Sequence, residues 1–154
     1  MSKQKEPTAI VNKKALFNYE KLDSYNAGII LGGTEVKAVR EGKVNLSDSY
    51  CFFRAGELWI KNLHISEYKF GSYTNHEPLR LRKLLLQKRE LKRLQAKIKE
   101  KGLTIIPYKL YFNERSIVKI EIFLAKGKKV YDKRESLKAK DQKRDIERVK
   151  KRFS

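Results

Sequence analysis

Apolar and polar positions alternate in short runs along most of the first 127 residues, with turn residues between them. Ala15 to Ile30 is rich in Leu, Phe, Tyr and Ile and is broken at Asp23-Ser24. This predicts two strands, about Leu16–Leu22 and Tyr25–Leu31. Gly32-Gly33 interrupts the pattern, and Thr34 is a fair N-cap for a short helix over Glu35–Arg40, with Val36 and Val39 on one face. Glu35 in its first turn suits the helix dipole. Gly42 closes that helix. Tyr50–Arg54 and Leu58–Ile65 read as strands around the turn Ala55-Gly56-Glu57, a hairpin signal. Tyr68–Pro78 is punctuated by Gly71, Asn75 and Pro78 and reads as a loop.

The longest helical signal covers Leu79–Lys101. Leu84, Leu91 and Ile98 recur every seven residues, with Leu81, Leu85 and Leu94 nearby. Gly102 stops it. Two further strands are predicted, Leu103–Phe112 and Ile117–Leu124, around Asn113–Ser116. In the second, Val118, Ile120 and Ile122 alternate with Lys119, Glu121 and Phe123, so one face is apolar and the other mixed. About six short strands with one short and one long helix suit a mainly β fold, a small closed or partly closed barrel with peripheral helices.

After the last strand the pattern fails. Asp132 to Ser154 holds ten Lys or Arg and five Asp or Glu. Only Ile146, Val149 and Phe153 make a short helical face, supported by the Glu147–Lys151 pair. Such a segment is marginal as an isolated helix. Disorder in the free state and helix along a neutralising RNA are expected. The chain divides into an arm at 1–11, a domain at 12–131 and a basic tail at 132–154.

Charge narrows the partner. The 154 residues carry a formal net charge of +19, with 36% charged and 40% hydrophobic positions. This implies a polyanion, since Lys and Arg displace counterions condensed on phosphates. Between Arg80 and Lys101 ten residues are basic and only Glu90 and Glu100 acidic. A membrane surface fits less well, because Leu81, Leu84 and Leu91 are needed to cover a barrel. No run approaches the roughly 18 apolar residues of a spanning helix. The polar start, Met1 to Pro7, has no apolar signal core, so a cytoplasmic protein is expected.

Catalytic signatures are lacking. Gly32-Gly33 is not followed by a phosphate-loop Lys-Ser/Thr, and no Gly-x-Ser-x-Gly elbow occurs. Cys51, the single cysteine, reads as a small core hydrophobe rather than a nucleophile. His64 and His76 lie at no ligand spacing to it or to each other, which argues against a metal site. Asn45-Leu-Ser matches a glycosylation sequon by coincidence. No enzyme activity, metal or cofactor is expected.

Several separated blocks resemble the small protein B family, the SsrA-binding proteins that partner transfer-messenger RNA in rescuing stalled ribosomes. These are Asn12-Lys-Lys-Ala15, Gly33-Thr-Glu-Val-Lys37 through Asn45-Leu-Ser-Asp-Ser-Tyr50, Asn75-His-Glu-Pro78 with Arg80, Arg82-Lys83 and Leu84-Leu-Leu86, Gly102-Leu-Thr104, Pro107–Tyr111, and Lys126-Gly-Lys-Lys-Val-Tyr-Asp-Lys-Arg134. The resemblance implies an oligonucleotide-binding-type barrel that holds the transfer-RNA-like part of that RNA. It implies a tail that enters the decoding site and the empty messenger channel of the small ribosomal subunit. A monomer without membrane partners is expected.

Candidate RNA-binding residues are Asn12, Lys13, Lys14, Glu35, Lys37, Arg40, Asn45, Lys126, Lys128 and Lys129. Lys37 and Arg40 can reach phosphates. Glu35 can accept from a base or sugar hydroxyl, or instead bond a backbone amide or pair with a lysine. His76 reads as a loop-fixing donor rather than a base reader. Tyr131, Asp132, Lys133 and Arg134 would sit where codon and anticodon meet. Tyr131, with no apolar neighbour except Val130, is free to stack. Family members often carry His at that place, and stacking survives the change.

Overall fold

The computed structural model describes residues 9–71, 75–100 and 102–127. Its elements run β1 (Ile10–Val11), α1 (Ala15–Asn18), β2 (Tyr19–Ile29), α2 (Gly33–Arg40), β3 (Val44–Asn45), β4 (Tyr50–Arg54), β5 (Glu57–Lys61), β6 (His64–Ile65), β7 (Arg82–Leu85), α3 (Lys88–Ile98), β8 (Leu103–Phe112) and β9 (Val118–Gly127).

The main sheet closes on itself. Its order is β1-β8-β4-β5-β7-β2-β9, and β8 also pairs with β9, so six strands form a ring with β1 attached to β8 from outside. All these pairings are antiparallel. Closure removes the free edges that a short-stranded sheet would otherwise expose. β3 and β6 make a separate two-stranded ladder.

Period-two alternation puts Val118, Ile120, Ile122 and Leu124 of β9 in one core with Ala27, Ile29, Leu58, Ile60, Leu84, Ile105 and Leu110. Ala38 and Val39 of α2 and Leu94 of α3 join the same cluster. The opposite face of β8–β9 is apolar too. Ile106, Phe123 and Ala125 pack with Ala15 of α1, flanked by Tyr19 and Tyr108. Phe123, on the mixed face of the sequence pattern, is therefore fully buried.

Several boundaries differ from the sequence expectation. The Leu79–Lys101 helix is in fact a strand, β7, followed by the shorter α3. Leu84 belongs to the strand and pairs with Leu58, while Leu91, Leu94 and Ile98 carry the helical stripe. Tertiary pairing overrides the local helical period here. The first predicted strand instead begins with a helical turn, α1, and β2 runs unbroken through Asp23-Ser24. A register shift between Lys21 and Asp23 leaves Leu22 as the bulged residue, and Asp23 and Ser24 pair with Leu124 and Phe123. Leu58–Ile65 divides at Asn62, whose φ is +63°. Ile10 and Val11, assigned to the arm, pair with Leu110 and Lys109.

The hairpin turn is as expected. Arg54 pairs with Glu57, leaving Ala55 and Gly56 with φ of +51° and +76°. Two positive φ values define a type I′ turn, whose twist matches that of the strands.

Candidate nucleic-acid interface

The segment Gly32–Asn45 supplies four of the sequence candidates. α2 begins at Gly33, and Glu35, rather than Thr34, caps it. Glu35 Oε1 accepts from the Gly32 N–H at 2.9 Å. The carboxylate is 1% exposed. Arg80 Nη2 donates to Oε1 at 2.5 Å, and Arg82 Nε donates to Oε2. Arg82 is 0% exposed. Its remaining donors reach the carbonyls of Leu63 at 2.7 Å and Pro78 at 3.1 Å. Burial would raise the Glu35 pKa, but the Gly32 amide, Arg80 and Arg82 outweigh it and hold the group below its ordinary value. Of the two readings left open by the sequence, the geometry gives the backbone bond and the ion pair, with arginines in place of lysine. Glu35 positions α2 against β7.

Lys37 and Arg40 sit three residues apart on α2 and are exposed. Each lies over a ring: Lys37 Nζ is 5.3 Å from the Tyr68 centroid, and Arg40 Cζ 5.1 Å from that of Phe112. The rings hold these cations at the surface without neutralising them. Asn45 Oδ1 accepts from the Ser47 N–H at 2.8 Å and from its hydroxyl at 2.5 Å, shaping the turn into β4.

Asn12 is 4% exposed. Its N–H donates to Tyr108 O at 2.7 Å, and its amide to Pro107 O at 3.0 Å and Leu46 O at 3.3 Å. It ties the chain's entry to β8 and to the turn before β4. Lys13 and Lys14 follow it on the surface. Asn12, Lys14, Tyr19, Ser47, Asp48 and Tyr50 are among the residues lining a cleft of about 320 Å³. Thus the basic entry block and the turn after Asn45, distant in sequence, meet at one cleft. Tyr19 pairs with Gly127, so β9 ends beside it. Lys126 is exposed there. Lys128, Lys129, Tyr131, Asp132, Lys133 and Arg134 lie outside the described residues.

His76 anchors its part of the loop that ends at Pro78, as expected. Its Nε2 is 2.8 Å from Ile65 O, which can only accept, so Nε2 carries the proton. Nδ1 then accepts from Thr34 Oγ1 at 2.9 Å.

One surface escaped the sequence reading. Tyr111 Oη donates to Asn26 Oδ1 at 2.8 Å, and Lys109 Nζ lies 5.2 Å from the Tyr111 centroid. Beside them Leu85, 50% exposed, covers Gly28, where an added Cβ would meet Leu85 Cβ at 3.3 Å. Asn26 and Gly28 at period two on β2, with Ile30 just past its end, were the available signal. Cys51 is buried, and burial pushes its thiol pKa up, away from thiolate reactivity. Among the described residues no cluster of three metal-binding side chains occurs, and no helix is long and apolar enough to cross a membrane.

A closed barrel whose surface carries cations set over aromatic rings, on a strongly basic chain, is the build of an RNA-binding barrel. Comparison with known proteins gives the particular family. Residues 9–152 match the family model described as SmpB protein. The SsrA-binding protein of Phocaeicola vulgatus is 55% identical over 146 residues, covering 95% of this chain and 97% of the relative. That of Cytophaga hutchinsonii is 59% identical over 140 residues, covering 91% and 92%. A solved structure described as "tmRNA-SmpB: a journey to the center of the bacterial ribosome" matches with a TM-score of 0.69 and 48% identity, covering 84% of this chain and 94% of its own. The chain belongs to the SmpB family.

Proposed function

We propose that the chain binds the transfer-RNA-like part of transfer-messenger RNA with its barrel and delivers it to stalled ribosomes for trans-translation. The observation that carries this is near-full-length identity above one half to proteins named for SsrA binding. The likeness to the tmRNA-SmpB ribosome structure supports the second partner. The chain works by binding and not by catalysis, and its place of action is the cytoplasm, where ribosomes are. It acts as a monomer.

Within the barrel, Lys13, Lys14, Lys37, Arg40 and Lys126 supply phosphate contacts, and Lys128 and Lys129, next in the sequence, add to them. Asn12, Glu35 and Asn45 contribute chiefly by holding these surfaces in place: the Asn12 amide N–H, the Glu35 carboxylate and Asn45 Oδ1 bond within the protein. Tyr131, Asp132, Lys133 and Arg134 work at the decoding site, and the remaining tail follows the empty messenger channel. A channel filled with messenger would exclude a tail that needs the same phosphate-lined groove, so the tail reports an empty one.

A pair of assays on the same variants tests this. Lys37→Ala with Arg40→Ala is expected to weaken affinity for transfer-messenger RNA. Lys133→Ala with Arg134→Ala is expected to spare that affinity and to lower peptide tagging on stalled ribosomes. Equal loss of RNA affinity in both variants contradicts the division.

A further inference from the structure

Phe70 is 76% exposed, the most exposed of the large hydrophobic residues of the described surface. It makes no part of either core cluster. Among the described residues its aromatic neighbour is Tyr68, edge-on at 5.7 Å and 68°. Cations flank both rings: Lys69 Nζ is 5.8 Å from the Phe70 centroid and Lys37 Nζ 5.3 Å from that of Tyr68. The turn beneath is held firmly. Asn75 Nδ2 donates to Tyr68 O at 2.8 Å, its Oδ1 accepts from the Tyr68 N–H at 3.2 Å, and the Gly71 N–H donates to Tyr68 O at 2.9 Å. An added Cβ on Gly71 would lie 2.6 Å from Asn75 Nδ2, so the turn is also tightly packed. The ring is thus presented to solvent on a fixed turn instead of being folded back onto the barrel.

We infer that Tyr68 and Phe70 form a stacking platform for an unpaired nucleobase of the bound RNA, with Lys37 and Lys69 taking the adjoining phosphates. A π-face accepts any base, and the two ammonium groups match a ribose-phosphate backbone on either side of it. A protein partner needing an apolar anchor would have no use for two cations set against the rings. This rests on the proposed binding of transfer-messenger RNA and adds to it a contact point away from the Asn12–Tyr50 cleft.

The test uses the full chain and transfer-messenger RNA, with Phe70→Ala, Phe70→Leu and Phe70→Trp. Base stacking corresponds to roughly 5- to 150-fold in affinity. Phe70→Ala and Phe70→Leu are both expected to weaken binding within that range, and Phe70→Trp to retain it. With Trp59→Phe added, the Phe70→Trp fluorescence is expected to be quenched on adding RNA. Unchanged melting temperatures show that the barrel is intact, since Phe70 lies outside its core. Normal wild-type binding with unchanged affinity in Phe70→Ala overturns the platform and leaves the proposed function standing. Full activity in Phe70→Leu also overturns it, because bulk without a π-face then suffices. Intact RNA affinity with loss of ribosome association assigns the ring to another partner and overturns it too. A wild-type chain that fails to bind transfer-messenger RNA sinks the proposed function and the platform together.

Discussion

Arg82 Nε donates to Glu35 Oε2 across 47 residues of sequence, and both side chains are buried. The pair joins the capped start of α2 to β7, the strand that bridges β5 and β2. Removing Glu35 leaves the buried Arg82 without its counter-charge. Such losses cost about 3–5 kcal/mol. Glu35→Gln is therefore expected to lower stability by that order in urea unfolding of the full chain. Glu35→Gln combined with Arg82→Met is expected to recover part of it. A single-variant loss below about 0.5 kcal/mol, the range of ordinary surface changes, contradicts a structural role for the pair.

The same carboxylate predicts a pH dependence. Glu35 is held below its ordinary value in the fold. The unfolded chain, with an ordinary pKa of about 4.3, then binds the proton first as pH falls. The stabilisation is complete above about pH 4.3 and is lost as pH drops from there through the folded value. The stability difference between wild type and Glu35→Gln should shrink over that acidic range, by at most about 1.4 kcal/mol per pH unit. A difference that stays constant from about pH 6 to pH 3 is the contrary result.

The hairpin turn offers a change in the stabilising direction. Ala55 holds a φ of +51°, a conformation costly to a residue with a Cβ. Asn tolerates it better and leads type I′ turns before Gly. Ala55→Asn is expected to raise stability by about 0.5–1 kcal/mol in thermal melting, offsetting part of the left-handed cost. RNA affinity should not move.

These residues also mark what the sequence made legible. The Ala55-Gly56 turn, the body of α2 and the strands flanking Asn113–Ser116 could be read because each is locally consistent in turn chemistry or apolar period, although the cap of α2 is Glu35 and not Thr34. β7 could not. Its inward positions are Arg82 and Leu84, so a charged residue occupies a core-facing place and spoils the alternation. The partner that makes this tolerable, Glu35, is far away in sequence. Leu84 then fell into a seven-residue rhythm with Leu91 and Ile98 that belongs to helix only from Lys88 onward. Charge and motif nominate the candidate cations, and the structure puts Lys13, Lys14, Lys37, Arg40 and Lys126 on the surface. The Asn12–Tyr50 cleft and the Tyr111–Asn26 contact were not legible, because both depend on strand pairings between distant segments.

The tail is expected to be separable from the fold. Truncation after Arg134 removes residues with little apolar content. The melting temperature and RNA affinity should hold, while peptide tagging on stalled ribosomes is lost. Unfolding of the truncated chain would make the tail structural.

The most direct test of the central claim is competition binding at several salt concentrations, between the transfer-RNA-like part of transfer-messenger RNA and an unstructured RNA of equal length. Clear preference for the folded RNA is expected, with the logarithm of affinity falling by roughly 0.7–0.9 per neutralised phosphate for each decade of salt. Equal affinity for the two RNAs, or a folded-RNA complex insensitive to salt, would contradict it.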